Sequence, residues 1–212
     1  MITGSSTSRA ARTTQRSKAL TIATVMTVLT TALTLSGCGA APWAQGTDGP
    51  SPSASSTAVP EPVPNDLSTG STQRTLTAGA VTATVDYWSE LSMDKWTPGA
   101  LKPLKLSLVT TITPSDGQKV YLQRATMVAV PGNAAGALAA LDPQIDQATI
   151  PPGYLVLSPY SYSQQFTVGA VPDEATFVTL ELTYDFLVQT TPTSTEYAKQ
   201  TATDTLTVAI AH

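Results

Sequence analysis

From residue 72 onward, apolar and polar residues alternate with a period of two. In residues 79–88, Val81, Ala83, Val85 and Tyr87 alternate with Thr82, Thr84, Asp86 and Trp88, the pattern of a strand with one face in a core and one in water. A short strand around residues 75–77 can pair with it through Gly79. Residues 104–112 alternate again, with Leu106, Leu108 and Ile112 on one side. Pro114 and Gly117 then fall where a type I turn uses them. The following stretch, residues 119–130, divides into two sets, Val120, Leu122, Val128 and Val130 against Tyr121, Ala125, Met127 and Ala129. Together the two stretches are expected to form a hairpin. The clearest strand carries Val178, Leu180, Leu182, Tyr184, Phe186 and Val188 on one face, against Thr179, Glu181, Thr183, Asp185 and Leu187. Residues 202–211 close the chain with Leu206, Val208 and Ile210 on one side.

Between these strands, residues 89–103 form a long loop broken by Pro98, Gly99 and Pro103. Asn133 is placed to cap a short helix over residues 134–141, and Asp142-Pro143 has the N-cap and first-turn residues of a second. Residues 154–157 and 162–168 are further strand candidates, and residues 171–174 a turn. The fold class expected is all-β: an immunoglobulin-like antiparallel β-sandwich of about seven strands with one or two short helices in a crossover connection.

Residues 173–179 resemble the tyrosine-corner stretch of immunoglobulin domains, with Phe177 replacing the tyrosine and Thr179 the cysteine. That family's parity would turn Glu181 and Asp185 inward and Leu180 and Leu182 outward, so the sandwich is kept and the family match set aside. A looser likeness, in strand order and Ala/Thr-rich composition, is to small immunoglobulin-like domains secreted by actinobacteria. It carries no functional residue across.

The amino-terminal part follows other rules. Arg9, Arg12, Arg16 and Lys18 precede 17 uncharged residues, 19–35, and no acidic residue accompanies them. As a helix that run would span about 25 Å, at the short edge of a bilayer core, so an uncleaved anchor is one reading. Leu35-Ser36-Gly37-Cys38 favours another, because small residues stand immediately before the only cysteine of the chain. This tetrapeptide resembles the lipobox of bacterial lipoprotein precursors. The resemblance implies a signal peptide over residues 1–37, recognised by its peptidase through Leu35, Ser36 and Gly37, and a diacylglyceryl thioether on Cys38. Two acyl chains hold a protein stably on a bilayer, where one does so only marginally. The expected location is the extracytoplasmic face of the cell membrane.

Residues 39–71 then carry Pro42, Pro50, Pro52, Pro60, Pro62 and Pro64 among Ser, Thr, Gly and Ala. Such a segment is expected to act as a disordered tether whose root-mean-square reach is roughly 30 Å. The domain organisation is therefore a leader over residues 1–37, a lipidated cysteine and tether over 38–71, and a sandwich over 72–212.

Of 11 Lys and Arg, four lie in the leader, so the exported chain sets 7 against 15 Asp and Glu, a net charge of −8. Acidic, dispersed charge excludes nucleic acid as a partner, since phosphate binding needs clustered cations. With Cys38 acylated no thiol remains for a disulfide or thiolate metal site, and no cofactor is expected.

Candidate chemistry is sparse. Nucleophilic triads need an imidazole, and the only histidine is the terminal His212. Glu181 and Asp185, four residues apart on one strand face, stand roughly 13 Å from each other, beyond the separation glycosidase pairs use. Asp173 and Glu174 sit in a turn without calcium-loop spacing. The aromatic residues are left: Trp88 on a polar strand face, Trp96 in the next loop, and Tyr160 and Tyr162 flanking a turn. They either cover the ends of the core or form a surface patch for an envelope protein, a glycan or an apolar ligand. The first reading of function is a non-enzymatic lipoprotein that binds or scaffolds another envelope component. The alternative is a carrier or sensor holding a small apolar ligand inside the sandwich, which requires a dry cavity of several hundred Å³.

Overall fold

Val81, Ala83, Val85 and Tyr87 all turn inward on β2 (Val81–Trp88), and the same alternation places every long strand with its apolar face toward a shared core. The structure is a computed structural model that describes residues 62–212. The lipobox Leu35–Cys38, the leader and most of the expected tether lie outside the described residues.

Two antiparallel sheets make up the fold. The first runs β1 (Ser71–Ala78), β2, β3 (Lys102–Ile112), β8 (Tyr162–Val168). The second runs β10 (Tyr197–Ala209), β9 (Phe177–Gln189), β4 (Val120–Asn133), with β5 (Gly136–Ala137), β6 (Gln144–Gln147) and β7 (Tyr154–Leu155) along the remaining edge of β4. Because β3 pairs with β8 while β4 pairs with β9, consecutive strands interlock across the two sheets. The order β2-β3-β8 facing β4-β9-β10 is that of strands A, B, E and C, F, G of immunoglobulin-like sandwiches.

The expected hairpin between residues 104–112 and 119–130 does not form. β2 and β8 occupy both edges of β3, so the chain after Pro114 crosses to the other sheet, where β4 pairs with β9. The expected helices over residues 134–141 and from Asp142 are likewise absent, and β4 supplies the reason. Its edge carbonyls take the amides of Leu138 (to Pro131, 2.8 Å) and Leu141 (to Ala129, 2.8 Å), and β6 pairs with residues 124–127. An exposed sheet edge presents a row of unpaired groups, and filling it overrides the helical propensity of the alanines, which tertiary context routinely outweighs. Asn133 Oδ1 accepts the amide of Ala135 at 2.9 Å, a local turn in place of a helix cap. Among the described residues the one helical piece is a 3₁₀ turn, Met93–Lys95.

The two apolar sets in residues 119–130 have a structural cause. The register of β4 against β9 shifts between Leu122 and Arg124, a β-bulge at Gln123. Val120 and Leu122 point inward before it, Ala125, Met127 and Ala129 after it. On β9, Val178, Leu180 and Leu182 are buried and Thr179 is not, the parity on which the immunoglobulin match was set aside.

Packing begins before β1. Leu67 is fully buried, the Asp66 amide donates to Thr207 O at 2.8 Å, and Asp66 Oδ2 accepts the Thr207 amide at 2.7 Å. The edges are guarded. The Gln144 side chain both accepts from the Thr167 amide (2.9 Å) and donates to its carbonyl (2.5 Å), standing in for a neighbouring strand beside β8. Arg74 on β1 and Asp204 on β10 share the inward parity of Leu76 and Leu206, and inward charges on edge strands make a further strand costly to add.

Candidate functional site

The four aromatic residues singled out in the sequence separate in the structure. Tyr87 is buried, so its neighbour Trp88 must point outward, half-buried on the outer face of the first sheet. Trp96 goes the other way. It is fully buried under residues 89–101, its indole N–H donates to Ser89 Oγ at 3.3 Å, and its carbonyl accepts the Ala211 amide at 3.0 Å. It closes one end of the core and belongs to no surface patch, because a long loop folds over a ring too large to leave in water. Tyr162 is also a core residue, with its hydroxyl donating to Asp146 Oδ2 at 2.6 Å and its ring 5.3 Å from Tyr154. Burial, then Asp146, pushes its pKa well above the ordinary tyrosine value. Tyr160 remains exposed in the turn before β8.

What the fold gathers around Trp88 comes from three strands. Register pairs place Ser71, Trp88, Lys105 and Gln165 in one row across β1, β2, β3 and β8. Trp88, Lys105, Leu106, Ser163, Gln164 and Gln165 line a groove of about 300 Å³, at the small end of ligand-site volumes. The Lys105 ammonium forms an ion pair with Glu90. Gln164 Oε1 accepts the Gln165 amide at 2.8 Å, leaving its NH₂ group uncommitted. Sequence reasoning found Trp88 but not Lys105, Ser163 or Gln165, whose proximity depends on the pairing of β3 with β8, some sixty residues apart.

A second surface groove, also about 300 Å³, lies beside the bulge and is lined by Gln123, Gln147, Pro151, Pro152, Leu187 and Tyr197. A third, of about 250 Å³, runs along residues 148–154 past Ile150 and Tyr154. Between the sheets the space is taken by large side chains, among them Tyr87, Trp96, Leu108, Leu122, Tyr184 and Phe186.

Charged groups elsewhere serve the fold. Asp185, expected on the polar face of its strand, is buried there beneath its partners: Arg124 Nη2 at 2.7 Å, Lys199 Nζ at 3.2 Å and the Thr201 hydroxyl at 2.7 Å. Burial opposes its charge, but Thr201, Arg124 and Lys199 prevail and hold its pKa below the ordinary carboxylate value. Lys102 has no carboxylate. The side chain is fully buried at the inward parity of Leu104 and Leu106, and its three N–H groups are shared among the carbonyls of Thr97 (3.1 Å), Pro98 (3.3 Å), Ala100 (2.6 Å) and Gly169 (2.9 Å). Desolvation lowers its pKa. This cage ties the loop over Trp96 to the end of β8.

Asp173 and Glu174 stand in the turn closed by the Ala175 amide to Pro172 O at 3.0 Å. Among the described residues no group of three or more His, Cys, Asp or Glu side chains is placed to hold a metal ion. His212 Nε2 lies 3.0 Å from the Ala175 carbonyl. No protein-family model matches the chain, and no curated protein is similar to it.

Proposed function

We propose that this protein is an extracytoplasmic lipoprotein, held on the membrane by acylated Cys38, whose sandwich binds another component of the cell envelope without transforming it. The observation that carries the binding reading is Trp88: a large indole held outward on a polar sheet, beside a groove whose amide and hydroxyl groups the fold does not use. An outward, half-buried aromatic still leaves apolar surface in water and, flanked by free hydrogen-bonding groups, is the composition of a contact surface. The strongly placed ionisable groups support a non-catalytic role, since Asp66, Asp185 and Lys102 are each engaged in holding strands or loops together.

The carrier alternative is less well supported. The facing side chains fill the interior, and the grooves described open on the outside.

The test is co-sedimentation of the mature chain, in detergent micelles, with detergent-washed envelope fragments. The parent chain is expected to sediment, and Trp88→Ala to weaken binding at least tenfold while its unfolding transition stays in place. Equal sedimentation of the two, or none by either, would contradict the reading.

A further inference from the structure

We infer that the ligand of the Trp88 groove is a neutral glycan, one pyranose ring lying against the indole and its hydroxyls served by Ser163 and Gln165, which share the outward parity of Trp88. The inference rests on the binding role proposed above and deepens it.

Three observations converge. First, the groove sets a single large aromatic beside neutral polar side chains and one lysine. A pyranose presents an apolar C–H face and a rim of hydroxyls, so it needs a ring to stack on and paired donors and acceptors at the side. A peptide or lipid partner would ask for a broader apolar floor than one indole on a sheet whose outward neighbours are Ser71, Gln73, Asp86, Ser107 and Ser163.

Second, the hydrogen-bonding groups are uncommitted. Among the described residues the Trp88 indole N–H, the Ser163 hydroxyl and the Gln165 carboxamide have no protein partner. A carboxamide donates and accepts at one end, which matches a hydroxyl that does both.

Third, the one cation at the groove is already neutralised. Lys105 is paired with Glu90, and Asp86, in the adjacent row, accepts from Gln73 at 2.7 Å. A phosphate- or carboxylate-bearing polymer would meet no free positive charge there and a chain of net negative charge around it, whereas a neutral glycan meets neither penalty.

The row Ser71–Trp88–Lys105–Gln165 crosses four strands, about 14 Å at the usual strand spacing, so the surface offers room for more than one sugar along a line perpendicular to the strands.

The probes are defined polysaccharides in native affinity electrophoresis of the mature chain in micelles: neutral glucan, galactan and galactomannan, with polygalacturonate as the anionic counterpart. Retardation by at least one neutral polymer and none by polygalacturonate is expected. Trp88→Ala should abolish it, Trp88→Phe should leave part of it, and Gln165→Ala should weaken it at least threefold. Envelope fragments complete the test. Binding that survives protease and is lost after periodate cleavage of vicinal diols supports the glycan. Trp88-dependent binding that is lost with protease and survives periodate overturns the glycan while the binding role stands. Preference for polygalacturonate overturns the neutral class, and loss of all envelope binding overturns both.

Discussion

The hydroxyl of Tyr87 on β2 stands 3.0 Å from that of Tyr184 on β9, a hydrogen bond joining the two sheets in the middle of an apolar core. Each ring has exchanged water for the other's oxygen. Removing one hydroxyl leaves its partner buried with a lost bond, which costs about 1–2 kcal/mol, whereas removing both is close to neutral. Tyr87→Phe and Tyr184→Phe are therefore each expected to lower denaturant stability by that amount and the double variant by less than the sum. Additive losses would show the hydroxyls to be independent.

The same pair makes stability depend on alkaline pH. Burial, then Tyr184 and Asp204, raise the Tyr87 pKa, and burial, against the hydrogen bond from Tyr87, raises that of Tyr184, from the ordinary value of 10.0. Above pH 10 the unfolded chain releases these protons while the folded one keeps them, so stability falls as pH rises. Unfolding free energy measured from pH 9 upward should fall less steeply in the double phenylalanine variant than in the parent. Identical slopes would contradict it.

Gly132 faces Phe177 across β4 and β9, and a Cβ at Gly132 would lie 2.5 Å from the ring carbon Cζ. The ring fills the space a side chain would take. Gly132→Ala is expected to destabilise by about 1–3 kcal/mol through overpacking. Adding Phe177→Ala should recover part of that loss, a coupling read from the double-mutant cycle.

Lys102 tests whether a charge can be held by carbonyls alone. Lys102→Met keeps the stem but removes the ammonium from four part-buried carbonyls, of which those of Thr97 and Pro98 keep a backbone amide, at an expected cost of about 2–4 kcal/mol. Because the cage fastens the loop over Trp96, fluorescence of that buried indole should shift toward longer wavelength in the variant. An unchanged spectrum and stability would show that the loop holds itself.

Asp185 contributes in the acid range. Its lowered pKa means that the stability it supplies is complete above about pH 4 and is lost as pH falls through the folded value. Asp185→Asn should cost about 1 kcal/mol at neutral pH, a modest figure because the Arg124 and Lys199 side chains are 43% and 51% exposed and water screens the pairs. Parent and variant should converge in stability at low pH.

Strand existence and facing were legible because period two is a local property: Val81–Tyr87 on β2, Leu104–Leu108 on β3 and Val178–Val188 on β9 each state their own inward side. Even the bulge left a trace, in the break between Val120–Leu122 and Ala125–Ala129. Sheet assignment was not legible. The turn residues at Pro114 and Gly117 are the same whether the chain doubles back or crosses to the opposite sheet, and only the occupation of both β3 edges decides between them. The alanines after Asn133 misled for a similar reason, since the open edge of β4 lies outside any sequence window. Trp88 could be placed outward from its neighbour Tyr87, but its partners Lys105 and Gln165 are contributed by long-range pairing. Trp96 and Lys102 are buried by one loop closure, and the visible sign was an ammonium at the inward parity of an apolar strand.

All of the functional proposals place the sandwich outside the cytoplasm on a lipid. The mass of the amino-terminal peptide of the protein extracted from cell membranes measures this directly. The expected peptide begins at Cys38 and carries a diacylglyceryl group, and Cys38→Ala releases no such species. A peptide that retains residues 1–37, or an unmodified Cys38 on membrane-held protein, would contradict it.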